Sequence, residues 1–194
     1  MTPYRLKVEK TPQTLGAIEL TSIARGYRVV DQMVKRAPIT LLDARPCSPG
    51  KFLVVITGDV ASVDEALQIG TRESGSSLFG TIFIPDLMPE VVAAINRTVT
   101  VPVTETIGVI ESFSAVSVIE ASDAAIKAAS IGIESISLLQ GLGGKAFAVF
   151  AGELTDVQTA VDAARGRIPD DMFVDLQVIA QVSPELIALL PGRP

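Results

Sequence analysis

The chain has 194 residues, 48% of them hydrophobic, and a mean hydropathy of +0.44, so it can bury a large core and is not a disordered polymer. Its 16 basic and 22 acidic residues give a net charge of −6 without any lysine- or arginine-rich run, so nucleic-acid binding is not expected. It has no histidine, which removes the usual general base, and its single cysteine, Cys47, excludes an intrachain disulfide and is typical of a reducing compartment.

The amino-terminal stretch 1–10 has no apolar region of the kind that signal peptides carry, and no apolar run approaches the length needed to cross a bilayer. We therefore expect a cytoplasmic protein without a membrane partner. The apolar residues are mainly small and aliphatic, with no Trp and 5% aromatic residues. This composition predicts close packing, with part of the apolar surface covered by other subunits.

Hydrophobic periodicity predicts alternating strands and helices in the first half of the chain. A short apolar strand, 16–20, precedes a helix that Pro38 ends. Leu41 and Leu42 begin a second strand, and the Pro, Ser and Gly residues of 46–50 predict a turn. The predicted helix has apolar residues at helical spacing, namely Ile23, Tyr27, Val30, Val34 and Ala37. The remaining predicted elements are a buried strand 52–56, a helix 62–70 with Val63, Ala66 and Leu67 inward, and a strand 78–84.

The same pattern occurs twice along the chain. The segment 15–20 recurs as 107–112 at an offset of 92, and the Gly-Lys pair at 50–51 recurs at 144–145 at an offset of 94. Two extra residues therefore fall before the second Gly-Lys pair, where a surface loop is expected. The second copy is predicted as strand 107–112, helix 114–129, strand 133–139, loop 140–144, strand 145–151, helix 155–165 and strand 172–180.

Each copy thus contains four strands and two helices, which predicts an α+β fold of ferredoxin-like type that is present twice. We expect an amino-terminal extension, 1–14, a first domain, 15–98, and a second domain, 107–194. Residues near 85–106 link the copies, with a short helix at 89–96.

Few residues point to catalysis. The glycine-rich segment 140–144 resembles a phosphate-binding loop, but Lys145 is followed by Ala and a strand, so a tight turn is favoured. Cys47 has no histidine to activate it, and one chain does not supply the ligands of a closed metal site. The repeated acids Glu19 and Glu111 are explained by duplication and are expected to be structural. We therefore expect a protein that is not an enzyme.

Two alternative functions follow from the sequence, one from threefold symmetry and one from the pairing of two domains. Three chains around one axis would bring three Cys47 thiols together, and these would supply cysteine ligands for an iron–sulfur site. Tandem ferredoxin-like domains also bind small effectors between domains, so a regulatory pair is a second alternative.

Several short motifs recur in the same order in both copies. They are the opening segment 16–26, the Asp-x-x-x-Lys helices at 31–35 and 123–127, the Pro-Gly-Lys-Phe loop at 49–52, the Gly-Leu-Gly-Gly-Lys loop at 141–145, and breaks at Gly58 and Gly152. With these motifs the chain resembles, over nearly its whole length, the bacterial microcompartment shell proteins of the tandem-domain class. Both copies begin with a Gly-x-Ile-Glu strand, so the resemblance is to the unpermuted type found in propanediol-utilisation compartments.

The resemblance implies a homotrimer that imitates a hexagon and joins other shell proteins, both hexamers and pentamers, around enclosed enzymes. It also implies a pore for small metabolites on the threefold axis. By position, Lys35 and Lys127 would lie at the tile edges. The pore would be lined by Pro46, Cys47, Ser48, Pro49 and Gly50 of the first copy and by Gln140, Gly141, Leu142, Gly143 and Gly144 of the second.

The chain departs from the family at two places. The cluster ligand of iron–sulfur relatives is a Cys directly before Pro-Gly-Lys, whereas Ser48 takes that position here and Cys47 lies one residue earlier. We therefore expect an open pore lined by Ser48, suited to polar or anionic metabolites, without a cofactor. An electron-transfer tile, with an iron–sulfur cluster held by Cys47 from three chains, is the alternative. The segments 84–87 and 179–182 also lack the edge arginine of many shell hexamers, so edge contacts would depend on the lysines.

Overall fold

The structure, a computed structural model, describes residues 6, 13–98, 101–103, 105–139 and 141–190. The chain divides into two compact units, and each contains a four-stranded antiparallel sheet. Leu139 and Gly144 group with the first unit rather than with the strands that flank them.

The first unit has its two helices on one face of the sheet. The strand order is β2-β3-β1-β4, so β2 and β4 are edge strands. Its elements are β1 (Leu15–Leu20), α1 (Ile23–Arg36), β2 (Thr40–Cys47), β3 (Lys51–Thr57), α2 (Val60–Ser74), a 3-10 turn (Gly75–Ser77) and β4 (Leu78–Ile84).

Side-chain caps and a glycine contact position the first unit's helices. The Ser22 and Asp59 side chains accept hydrogen bonds from the backbone of the first turns of α1 and α2, which satisfies donors that a helix start leaves unpaired. Gly26 lets α1 approach the ring of Phe52, because any side chain at this position would overlap that ring. The core between helices and sheet includes Ile18, Met33 and Phe52, all fully buried.

The second unit repeats this arrangement with strand order β6-β7-β5-β8. A short helix, α3 (Pro89–Asn96), precedes it at the predicted position. A last helical turn, α6, was not predicted, and its Leu186 and Ile187 pack with Val103, Ile107 and Val149. The elements are β5 (Thr106–Ser112), α4 (Ala115–Ala128), β6 (Gly132–Leu138), β7 (Ala146–Gly152), α5 (Leu154–Arg165), β8 (Phe173–Ala180) and α6 (Pro184–Ile187).

Matching irregularities show that one fold is present twice. The β2–β3 register shifts between Leu41 and Asp43, and the β6–β7 register shifts at the matching place, between Ile133 and Ser135. The β1–β4 and β5–β8 pairings also shift register at corresponding residues. Bulges are specific features of a strand pair, so their repetition confirms the predicted α+β duplication more strongly than strand order alone.

The predicted turn 46–50 is partly wrong. Pro46 and Cys47 belong to β2, where they pair with Phe52 and Lys51, and the turn itself contains only Ser48, Pro49 and Gly50. Proline is tolerated here because β2 is an edge strand. Helix α2 also runs longer than the predicted 62–70, because Asp59 caps it early and Ser74 bonds its last turn, while Val63, Ala66 and Leu67 are buried as predicted.

No helix within the described ranges combines the length and the apolar character needed to cross a membrane.

Candidate functional site

The first predicted pore loop is a tight, exposed turn. Pro46, Ser48, Pro49 and Gly50 are exposed, and the Gly50 N–H donates to the Cys47 carbonyl at 2.9 Å. Gly50 has φ of +99°, which a residue with a side chain rarely adopts. The turn therefore presents one hydroxyl, that of Ser48, beside backbone atoms.

The second predicted pore loop is shaped by three glycines. Gly141, Gly143 and Gly144 have φ of +68°, +60° and +88°, respectively. Gly141 and Gly143 are exposed, and Leu142 is partly buried. A Cβ built on Gly144 would lie 2.7 Å from Cδ of Pro49, so this loop backs directly onto the first one. Gln140 lies outside the described residues.

A lysine directly after the first loop is held by a buried ion pair. The Lys51 Nζ lies 2.7 Å from Oε1 of Glu19, whose side chain is fully buried. The same Nζ lies 3.5 Å from the centre of the Phe79 ring, a cation–π contact. Because Lys51 follows Gly50 in the chain, this contact fixes one end of the Ser48–Gly50 turn.

The second copy has the same ion pair in a more solvent-exposed position. The Lys145 Nζ lies 3.0 Å from Oε2 of Glu111, and the two side chains are 43% and 35% exposed. Sequence reasoning took Glu19 and Glu111 as structural without finding their lysine partners. The sequence did contain a signal for these partners, because each copy has one such Glu and one Gly-Lys pair at matching positions.

The surroundings of Cys47 in one chain are those of a weakly reactive thiol. Burial raises the pKa of its thiol to about 11, so the group stays protonated at neutral pH. Its Sγ lies 3.8 Å from the carbonyl of Arg45, a weak hydrogen bond within the same strand. Clusters are held by thiolates, and Cys47 is the only cysteine in the sequence. The described residues contain no group of three or more Cys, Asp or Glu side chains placed to hold a metal ion.

The two predicted edge lysines each pair with an aspartate one helical turn away. The Lys35 Nζ lies 2.7 Å from Asp31, and the Lys127 Nζ lies 2.6 Å from Asp123. The hydrogen bond from Lys35 lowers the pKa of the Asp31 carboxyl. Lys35 is well exposed, whereas the carboxylate of Asp123 is almost buried.

Most of the periodic apolar residues predicted for the first helix lie outside its core face. The α1 residues that enter the core are Gly26, Val29 and Met33. Of the predicted stripe, Ile23, Tyr27 and Val34 are 38%, 60% and 42% exposed. Val30 packs against the core, and Ala37, directly after α1, is buried in it as predicted. We call the residues Ile23, Tyr27, Val30 and Val34 the α1 stripe.

Three of the four matching residues of α4 are buried, and the fourth, Ile126, is half-buried. At the offset of 92, Ile23 corresponds to Ala115 and Tyr27 to Ile119, and both α4 residues are fully buried. Val30 corresponds to Ser122, which is also buried. The contrast is therefore clearest at Ile23 and Tyr27, which are exposed in the first copy and have fully buried counterparts in the second.

Comparison with known proteins gives the family. The family model of the BMC domain matches residues 14–87 and 106–182. The bacterial microcompartment shell protein PduT of Citrobacter freundii is 36% identical over 152 residues, which cover 78% of this chain and 83% of PduT.

Solved structures agree with this match. A microcompartments protein from Desulfitobacterium hafniense is 34% identical, with a TM-score of 0.75 over 90% of this chain and 97% of that one. A fused permuted hexameric shell protein from the RMM microcompartment has a TM-score of 0.60 at 21% identity, over 79% of each chain, and shares the fold.

These matches cover both copies and agree with the duplicated fold. The chain belongs to the bacterial microcompartment shell proteins, a structural family, and carries two BMC domains in tandem.

Proposed function

We propose that three copies of the chain close into a ring that serves as a pseudohexagonal tile of a microcompartment shell, with a central pore for small metabolites. The observation that carries this proposal is the contrast between the α1 stripe and its buried counterpart in α4. The α4 positions Ala115 and Ile119 are buried within a single chain. We infer that the corresponding positions of α1 are covered by another copy.

The contrast favours a closed ring over a symmetric pair. A surface of one copy that is covered by a different surface of the next is a head-to-tail contact, which gives a ring when the rotation closes. Six copies of the domain surround a pseudohexagon, and two copies per chain therefore require three chains. The exposed Tyr27 is also the type of side chain that anchors subunit contacts.

The loops support a pore on the ring axis. The first loop is exposed, as are Gly141 and Gly143 of the second, and both loops contain glycines with positive φ. Gly144 lies against Pro49, so the two loops of one chain lie together. We infer that the first loop contributes Ser48, Pro49 and Gly50, and that Pro46 and Cys47 lie on the strand behind it. Backbone groups and three Ser48 hydroxyls would then select for small polar or anionic metabolites.

We further propose that the tile has no catalytic activity and no iron–sulfur cluster, and that it joins hexameric and pentameric shell proteins at its edges. The position directly before Pro-Gly-Lys supports the absence of a cluster, because it holds Ser48 and not a cysteine. The lack of histidine supports a passive role, because the commonest acid–base group is missing.

Light scattering after size exclusion tests the ring. Three chains of 20.4 kDa should elute as a particle of about 60 kDa. Tyr27→Glu should give monomers, since it places a charge in the covered face, whereas Gln68→Glu on the exposed side of α2 should stay trimeric. Circular dichroism checks that both variants fold. A monomeric wild type, or a Tyr27→Glu variant that remains a folded trimer, would overturn the proposal.

Cross-linking tests the pore. In a Cys47→Ser background, Ser48→Cys places three thiols around the proposed axis, so mild oxidation should give disulfide-linked pairs within the trimer. Gln68→Cys in the same background serves as the control and should remain uncross-linked at low protein concentration. Ser48→Cys trimers that oxidise no faster than the control would show that this turn is far from the axis.

A further inference from the structure

The edge of the first copy contains a cleft rich in cations. It lies between the carboxyl-terminal halves of α1 and α2 and has a volume of about 370 Å³. It is lined by Gln32, Lys35, Arg36, Ile69 and Arg72.

The second copy does not carry this chemistry. At the matching positions of α4 and α5, only the lysine is retained, as Lys127. The two arginines correspond to Ala128 and Gly166, and the other two positions are Ala124 and Ala163. Duplication alone would have given two similar edges, so the basic cleft is a property of the first copy alone among these matched positions.

The net charge of the helices is also more positive in the first copy than in the second. Helix α1 carries Arg25, Arg28, Lys35 and Arg36 against one acid, Asp31, which gives +3. Helix α4 carries Lys127 against Glu120 and Asp123, which gives −1. Helix α2 adds −2 and helix α5 adds −1, so the helix pair that forms the cleft carries +1 and the matching pair of the second copy carries −2. The cleft is therefore less acidic than its counterpart, on a chain whose net charge is −6.

The arginines of the cleft keep donors for a further carboxylate. The Nε of Arg36 lies 2.7 Å from Glu65, and the Nε of Arg72 lies 3.8 Å from Glu73. A guanidinium has five N–H donors in a planar fork, so each arginine can bind a second carboxylate without breaking its present pair.

We propose that this cleft binds a carboxylate-bearing segment of a neighbouring shell subunit, so that the two edge types of the tile take different neighbours. The proposal rests on the proposed function, since it assumes that Lys35 lies at a tile edge. Two first-copy edges placed face to face would oppose like charges, which disfavours that pairing. The second-copy edge, with its alanines and glycine, carries no such penalty.

A fluorescein-labelled hexaglutamate peptide is a direct probe of the cleft. We expect fluorescence anisotropy at low salt to show saturable binding to the wild-type protein. Arg36→Ala/Arg72→Ala should weaken binding at least tenfold, about 1.4 kcal/mol. The matched control, Lys127→Ala/Arg167→Ala, removes the same charge from the second copy and should change affinity less than twofold. Equal losses in the two variants, or no binding to the wild type, would overturn the proposal.

The oligomeric state is measured independently of peptide binding. Peptide binding to the cleft needs only a folded first copy, so a monomeric protein that still discriminates between the variants would refute the ring and leave carboxylate binding in place. A trimer that binds the peptide equally well in both variants would refute the cleft and leave the ring standing. Light scattering on the same samples distinguishes these outcomes.

Discussion

Lys51 and Glu19 form an ion pair of 2.7 Å in which the Glu19 side chain is fully buried, directly after the Ser48–Gly50 turn. The corresponding pair, Lys145 and Glu111, is about 0.3 Å longer and partly solvated. Duplication thus provides the same contact in two dielectric environments within one molecule. The contrast allows the energetic role of the pair to be tested with an internal control.

Lys51→Met should destabilise the protein strongly, because it removes the ammonium group that pairs with the fully buried side chain of Glu19. Breaking a buried pair in this way costs about 3–5 kcal/mol of the free energy of unfolding. Lys145→Met should cost less than about 1 kcal/mol, since exposed pairs contribute little. Urea denaturation followed by circular dichroism measures both. Similar losses in the two variants would contradict the assigned difference in burial, and Lys51→Met/Glu19→Leu should recover much of the loss.

The fold could be predicted from the sequence because its signals are local and repeated. The strand and helix order follows from apolar periodicity, and the indel before Gly144 identified a loop. The extent of β2 was missed because proline usually ends a strand, and only the edge position of β2 makes Pro46 acceptable. The α6 turn was missed because its apolar residues depend on tertiary contacts with Val103 and Ile107.

The candidate site was harder to predict, because the role of its residues depends on whether their side chains are buried or exposed. Periodicity correctly predicted a helix with apolar residues at helical spacing, but it gives no means of distinguishing the residues that enter the core from those that stay exposed. Only the comparison of Tyr27 with the buried Ile119 separates the two. The Glu19–Lys51 pair spans 32 residues, a distance that local patterns do not cover.

Gly144→Ala should disturb the loops more than Gly141→Ala. Both glycines have positive φ, so both substitutions cost backbone strain of about 1 kcal/mol. At Gly144 the new Cβ would also lie 2.7 Å from Pro49, whereas no atom lies within 4 Å at Gly141. Thermal denaturation should therefore show a clearly larger fall in Tm for Gly144→Ala. Equal falls would mean that the two loops are not in contact.

The thiol of Cys47 should react slowly. With a pKa of about 11, only about one thiol in a thousand is ionised at pH 8, and the thiolate is the reactive form. The rate of alkylation by iodoacetamide should rise about tenfold per pH unit between pH 8 and pH 10. A rate that is already at its plateau at pH 8 would contradict a protonated thiol.

The same property predicts a colourless protein. Anaerobic purification should give trimers without stoichiometric iron and without a visible absorption band, and Cys47→Ser should leave trimer formation unchanged. A brown wild-type protein whose colour is lost in Cys47→Ser would establish the electron-transfer alternative instead.

The edge lysines should affect sheets but not rings. Lys35→Asp/Lys127→Asp reverses charge at both proposed edges, so the variant should remain a trimer of about 60 kDa while failing to form sheets with other shell proteins. Electron microscopy and light scattering give the two readouts. Asp31→Asn/Asp123→Asn is a useful comparison, because it removes the paired acids and keeps the lysines. Loss of the trimer in the lysine variant would place Lys35 or Lys127 between chains rather than at the outer edge.

Glu105 and Glu153 provide a test of pH dependence in the second unit. A hydrogen bond with Glu105, followed by charge repulsion from it, raises the pKa of the Glu153 carboxyl. The raised pKa means that this pair contributes stability in full below the pKa of the unfolded chain and loses it as pH rises through the folded-state pKa. Glu105→Gln removes the repulsion, so its Tm should exceed that of the wild type at pH 7, and the difference should shrink or reverse near pH 4. Glu185→Gln, a loss of one acid elsewhere, controls for net charge. A Glu105→Gln advantage that is constant from pH 4 to pH 7 would show that the two carboxylates do not share a proton.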